Sequence, residues 1–212
     1  MFEYHTRAIV LHKETMNEVD AKIILYTELL GKIELVAKGA NKITAKLNCH
    51  LEILNLIETT LIIAANKHLT SALTINNFSI LRHHEAALAN AVKMVKFINQ
   101  AIIASEKDEF LWKSLENYLS NLNQINEINK DNQSLYINLN NINFLIKLNT
   151  ALGLMPDFTD LSHYFNKTTI QFIRFLKQDA PWQKLLKQSN LSNLKKIDYN
   201  KIENDLKQRI IL

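Results

Sequence analysis

Three glycines, two prolines and one cysteine occur in 212 residues, and these scarcities remove whole classes of chemistry. A phosphate-cradling P-loop sets two glycines close together ahead of Lys and Ser or Thr, and a dinucleotide fingerprint needs a tight cluster of three. Gly31, Gly39 and Gly153 supply neither spacing. The single cysteine, Cys49, excludes an internal disulfide and suggests a reducing compartment. The seven histidines are scattered, and neither the adjacent His83 and His84 nor Cys49-His50 has a partner pair that would complete a zinc site. No serine stands in a nucleophile-elbow context. No uninterrupted apolar run approaches the length of a membrane span. Met1-Phe2-Glu3-Tyr4-His5 lacks the charged and apolar regions of a signal peptide. The expectation is a cytoplasmic binding protein rather than an enzyme, with no cofactor, no metal and no membrane contact.

What is present fits a folded chain with a sizeable core: 47% hydrophobic and 22% charged residues. The net charge of +4 leans toward an acidic partner such as nucleic acid, but weakly, because 25 basic residues face 21 acidic ones. The central stretch is Glu28 to Lys42. Gly31 stands between two apolar runs, where a hairpin turn demands positive φ. Lys32 to Lys38 reads as a strand that ends at Gly39. Around it, residues 6–13 and Lys22 to Thr27 read as strands separated by a polar loop from Glu14 to Asp20. The long apolar stretches Leu51 to Ala65 and Leu69 to Leu81 face each other across Asn66-Lys67-His68. About five closely spaced strands suit a small barrel such as an OB-fold, although a sandwich would show much the same pattern.

From Glu85 the period changes to 3.6, with Leu88, Val92, Val95, Ile98 and Ile102 on one helix face. Ser105 or Asp108 can cap a second helix carrying Leu111, Leu115, Tyr118 and Leu122. A third carries Leu135, Leu139, Ile142, Ile146 and Leu152, with Gly153 as its stop signal and Pro156 beyond. Further helices are expected from Thr168 or Thr169 to Lys177, after Pro181, and from about Lys201 to Ile210. The fold class is therefore α+β, with an OB-fold-like barrel over 1–81 and a helical domain over 82–212.

Charge within the first 80 residues is balanced, eight basic against eight acidic. A nucleic-acid face there depends on local segregation, and the clearest excess lies between Lys32 and His50, with four lysines against Glu34. Lys38, Lys42 and Lys46, at a spacing of four, are the candidate phosphate contacts, with Arg7, Lys13 and Lys67 as further candidates. A barrel strand followed by a solvated basic turn accounts for the same residues. From Lys167 onward ten basic residues face four acidic ones, which fits either a solvated helix surface or a supporting surface for nucleic acid or an acidic peptide.

Several motifs occur in a familiar order: Ala8-Ile9-Val10-Leu11, Glu18 and Asp20, Thr27, Gly31-Lys32, Ala37-Lys38-Gly39-Ala40, Leu152-Gly153-Leu154-Met155-Pro156, and the basic-apolar ending Leu206 to Leu212. With these the chain resembles the RecO family of recombination mediators. The resemblance implies DNA repair and homologous recombination after DNA damage. It implies a barrel that binds single- and double-stranded DNA, annealing of complementary strands, and exchange of the single-stranded-DNA-binding protein for recombinase together with RecR. The tail of the single-stranded-DNA-binding protein is expected on the helical domain. Many relatives carry a four-cysteine zinc module after the Leu-Gly-x-x-Pro segment, whereas residues 157–165 here contain no cysteine. The contrasting expectation is a protein-interaction scaffold whose barrel is structural and binds little DNA.

Overall fold

Fourteen residues of extended chain, β1 (Phe2–Thr15), organise the N-terminal architecture in a computed structural model that describes residues 1–42, 46–103, 106–155, 157, 161–162, 165–177 and 197–211. The first half of β1 pairs with β4 (Leu56–Ile63), from Phe2↔Ile63 to Ile9↔Leu56, and its second half with β2 (Ala21–Thr27), from Ala8↔Thr27 to Thr15↔Ala21. The two pairings use opposite edges of the strand and overlap at Ala8 and Ile9, and the β2 register shifts at a bulge between Val10 and His12. β2 turns through Gly31 into antiparallel β3 (Gly31–Ala37), and β4 turns into antiparallel β5 (Lys67–Asn76). Closure comes from a short parallel seam between β3 and β5, Val36↔His68 and Ala37↔Leu69. The result is a closed barrel in the order β1-β2-β3-β5-β4, the five-stranded OB-fold-like arrangement expected of the first third.

Period-two alternation fills the barrel. Ala8 and Val10 of β1, Ala21, Ile23 and Leu25 of β2, Ile33, Leu35 and Ala37 of β3, and Ile57, Leu61 and Leu69 of β4 and β5 form one buried cluster with Ala40 and Leu51. The fourth strand begins at Leu56 and not near Leu51. Residues 51–55 form a turn in which Leu54, at φ 77°, donates its N–H to the Val10 carbonyl (2.9 Å), while Val10 donates to Asn55 (3.0 Å). Leu51 and Leu54 are fully buried, so this apolar run plugs the core without extending the ladder. Likewise the fifth strand stops at Asn76, and Leu81 belongs to a short helix, α1 (Ser79–His83).

The chain divides into two compact units, Met1–Leu119 and Ser120–Leu212. The first holds the barrel, α1, α2 (Glu85–Ala101) and most of α3 (Glu109–Leu122). The buried residues of α2 are Ala87, Ala91, Met94, Val95, Phe97 and Ile98, a stripe rotated from the expected one, in which Leu88 and Val92 are only half-buried. Asp108 caps α3 by accepting the Leu111 N–H (2.8 Å). Ser105, the other expected cap, lies outside the described residues.

The second unit is built on α4 (Lys130–Ala151), which is buried on nearly all sides and includes Asn140, Asn141, Asn143 and Asn149 in its interior. Asn149 donates to the carbonyls of Leu145 (2.9 Å) and Leu206 (3.1 Å), so its amide ties α4 to the last helix. Tyr136 donates to the Asn121 carbonyl (2.8 Å), and burial, with Glu127 adding to it, pushes its hydroxyl pKa up to about 12. Gly153 ends α4 at φ 70° as expected. α5 (Lys167–Lys177) and α6 (Tyr199–Ile211) follow. Asn166, not a threonine, caps α5 by accepting the Thr169 N–H (2.9 Å). Pro156 and the expected helix after Pro181 lie outside the described residues. Among the described residues no helix is long and apolar enough to cross a membrane.

Candidate nucleic-acid interface

Strand alternation that buries Ala21, Ile23, Ile33, Leu35 and Ala37 sends Lys22, Glu34 and Val36 outward. On the far half of the same outer face, helices cover the sheet: Tyr26 is 1% exposed and stacks on Trp112 of α3 with ring centroids 6.5 Å apart. On the near half the face stays open. There the β1–β2 loop, β2, β3 and the β4–β5 turn surround a groove of about 680 Å³, lined among others by Met16, Lys22, Glu34, Lys38, Lys67 and His68. The surface formed by strands 2 and 3 with the two flanking loops is where an OB barrel takes oligonucleotides.

The parallel seam brings the lysines together. His68 lies opposite Val36, so Lys67 at the start of β5 comes beside the end of β3, where Lys38 emerges. Lys38, Lys42 and Lys67 are exposed. The turn carrying the first two is fastened to the β1–β2 loop by side chains. Asp20 accepts the Gly39 N–H on Oδ1 (2.8 Å). Asn41 donates its amide to the carbonyls of Asn17 (3.0 Å) and Asp20 (2.8 Å), and its backbone N–H to Val19 (2.9 Å). Asn17 Oδ1 in turn accepts the N–H groups of Val19 and Asp20. The Gly39 N–H is the largest influence and lowers the Asp20 pKa; burial opposes it, and Asn17, Lys38 and Lys42 add smaller lowering effects. The basic turn is thus held in place before any ligand arrives.

Two further polar groups in the groove went unrecognised in the sequence. Lys22 Nζ contacts Glu34 Oε1 at 2.8 Å, and this hydrogen bond is the main cause that raises the lysine pKa. His68 has its Nδ1 shielded and without a hydrogen-bond partner among the described residues. Alternation in a register anchored at Gly31 puts Lys22 on the outer face. Its nearness to Lys38 follows from the β2–β3 register, whereas Lys67 joins them only through barrel closure, which no local pattern reveals.

The other expected contacts sit elsewhere. Lys46 is exposed at the start of the 46–50 turn, where its carbonyl accepts from Cys49 Sγ (3.3 Å). Lys13 donates to the side chain and carbonyl of Asn48, fastening that turn to β1. Arg7 does not line the groove. Its Nε and Nη2 donate to both oxygens of Glu28 (2.9 Å each), its Nη1 to Glu116 (2.8 Å), and its guanidinium lies 5.4 Å from the Trp112 ring centroid. Lys32, part of the local basic excess, donates Nζ to the carbonyls of Asn99 and Ile102, the latter at 2.7 Å, and so caps the C-terminal end of α2. Burial lowers its pKa, with Glu34 opposing.

Chemically the groove can neutralise an anionic backbone with ammonium groups while offering apolar contact from Met16 and an imidazole face from His68. Among the described residues no group of three or more His, Cys, Asp or Glu side chains could hold a metal ion.

Residues 1–79 match the family model described as Recombination protein O N terminal. The DNA repair protein RecO of Mesoplasma florum is 27% identical over 176 residues. The aligned stretch covers 77% of this chain and 65% of the length of that relative. Both matches support the RecO family.

Proposed function

We propose, from the premise that the N-terminal barrel is a RecO-family domain, that this chain acts in DNA repair and recombination by binding DNA in the barrel groove. The observation that carries the reading is the convergence of Lys38 and Lys67 on one open groove, with Lys42 on the turn that Asp20 fastens beside it. Three ammonium groups around one groove neutralise phosphates of one strand. Neutralised strands repel one another less, which favours annealing of complementary sequences. Lys46, on the 46–50 turn, lies outside the groove. Arg7 and Lys13 hold the fold together and make no contact in this scheme.

The partner side of the reading places RecR and the acidic tail of a single-stranded-DNA-binding protein with the chain, the tail on the helical part, in the cytoplasm. Its support is the basic excess after Lys167. In α6 much of that charge is committed, since Lys207 contacts Glu203 (2.6 Å) and Arg209 contacts Asp205 (2.8 Å). The first experiment is therefore on DNA. Titrating the full chain against a fluorescent single-stranded oligonucleotide at several salt concentrations should give a log–log slope of about −2, the value for three phosphate contacts. Substituting Lys38 and Lys67 together should flatten it by roughly 1.4. Salt-independent binding, or none at low salt, overturns the reading in favour of a scaffold.

A further inference from the structure

The groove contains an acid among its bases. Its lining residues include Lys22, Lys38 and Lys67 and one carboxylate, Glu34. Lys22 and Glu34 stand on neighbouring antiparallel strands, offset by one outward-facing step, since Lys22 lies opposite Val36 and Ile24 opposite Glu34. Their 2.8 Å contact is open to solvent: the Lys22 side chain is 34% exposed and that of Glu34 57%. Such a pair contributes little to folding, because screening and side-chain entropy offset most of its attraction. Elsewhere on β3 the outward lysine, Lys32, has a clear structural task at the end of α2. The Lys22–Glu34 pair has none comparable, yet it lies in the groove where a phosphate backbone would run.

We infer that Glu34 restrains nucleic-acid binding: its carboxylate occupies Lys22, and a single-stranded phosphodiester must either displace it or bind without the fourth lysine. The inference rests on the proposed function and refines it by naming the residue that limits affinity. The physical argument is competition for one ammonium. A phosphate and a carboxylate both seek Lys22, and the carboxylate is tethered beside it at a high effective concentration. While Glu34 holds the lysine, the pair adds no net positive charge to the groove, and a phosphate approaching it meets an uncommitted carboxylate oxygen. The electrostatic term then comes from Lys38, Lys67 and Lys42. With Glu34 neutralised, Lys22 keeps only the weaker influence of Glu14, opposite it on β1, and becomes available as a fourth contact.

The test is a double-mutant cycle on the full chain with a single-stranded oligonucleotide probe. E34Q should bind about fivefold more tightly at 0.1 M salt, with a slope steeper by roughly 0.7, the signature of one added phosphate contact on a single strand. In a K22Q background the E34Q substitution should leave the slope unchanged. Thermal unfolding of each variant separates binding from folding, and the exposed pair should shift Tm little. An E34Q variant that binds no better than the parent sinks the inference. So does one whose steeper slope persists without Lys22, since the gain would then be general charge and not release of that lysine. If E34Q binds more weakly, the carboxylate makes a favourable contact, for example with a base amino group, and the restraint is refuted. Failure of the parent chain to bind at all strikes the proposed function itself, which keeps the two outcomes apart.

Discussion

Arg7 shows how far a basic residue's role depends on what the fold places beside it. Its acid partners lie 21 and 109 positions away, and together they convert a candidate phosphate contact into a fastener between β1, the β2–β3 turn and α3. The Arg7 side chain is 39% exposed, so solvent screens the interaction, and R7A should cost about 1–2 kcal/mol in urea unfolding, partly through lost packing on Trp112. Glu28 supplies the pH dependence. Its hydrogen bond with Arg7 is the main cause that holds its pKa below the ordinary 4.5, against a smaller opposing effect of burial. Because the folded value lies below the unfolded one, the stabilisation is complete above about pH 4.5 and is lost as pH falls through the folded value. The Tm difference between the parent chain and E28Q should therefore be largest near neutrality and shrink as pH falls below the ordinary carboxylate range; a difference that stays constant would remove Glu28 from the acid response.

Among the elements, the turn between β2 and β3 is the least replaceable. Gly31 has φ 65°, and a Cβ there would lie 2.0 Å from the carbonyl oxygen of Glu106. Steric collision with backbone adds to conformational strain, so G31A should destabilise by on the order of 2–4 kcal/mol at an unchanged urea m-value. Gly153 has nearly the same φ, 70°, but nothing within 4 Å of the built Cβ, and G153A should cost only about 1 kcal/mol. Equal losses at the two sites would show that Glu106 gives way. The same elements mark what sequence pattern can and cannot reveal. Alternation located β2 and β3 and the turn joining them, because their burial follows from local spacing. It failed at residues 51–55, where Leu51 is apolar because it joins the barrel core, and it counted Lys32 in a local basic excess because the carbonyls at the end of α2 that receive it are 67 residues or more away. Lys38 and Lys42 were legible as a basic turn. Their grouping with Lys22 and Glu34 needs the β2–β3 register, and the addition of Lys67 was not legible at all, since it depends on which strands close the barrel.

For the whole molecule, the fold implies a minimum folding unit longer than its strands. Residues 1–81 contain all five strands but lack Trp112, which covers Tyr26, as well as Glu116 and the carbonyls that receive Lys32. A fragment ending at Leu122, the close of α3, should unfold cooperatively. One ending at Leu81 should melt at a lower temperature and bind a hydrophobic dye, having bared the outer face of β2. Indistinguishable melting of the two would make the helical cover dispensable.

The parallel junction of β3 and β5 has a consequence for the barrel's internal motion. Two residue pairs close it, Val36↔His68 and Ala37↔Leu69, against eight between β1 and β4. The barrel should breathe there first, so amide hydrogen exchange at the start of β5 should outpace that along β1 and β4. Lys38 and Lys67 stand on opposite lips of that opening. An oligonucleotide gripping both would staple the lips together, and exchange at the junction should slow on binding while the rest of the barrel hardly changes.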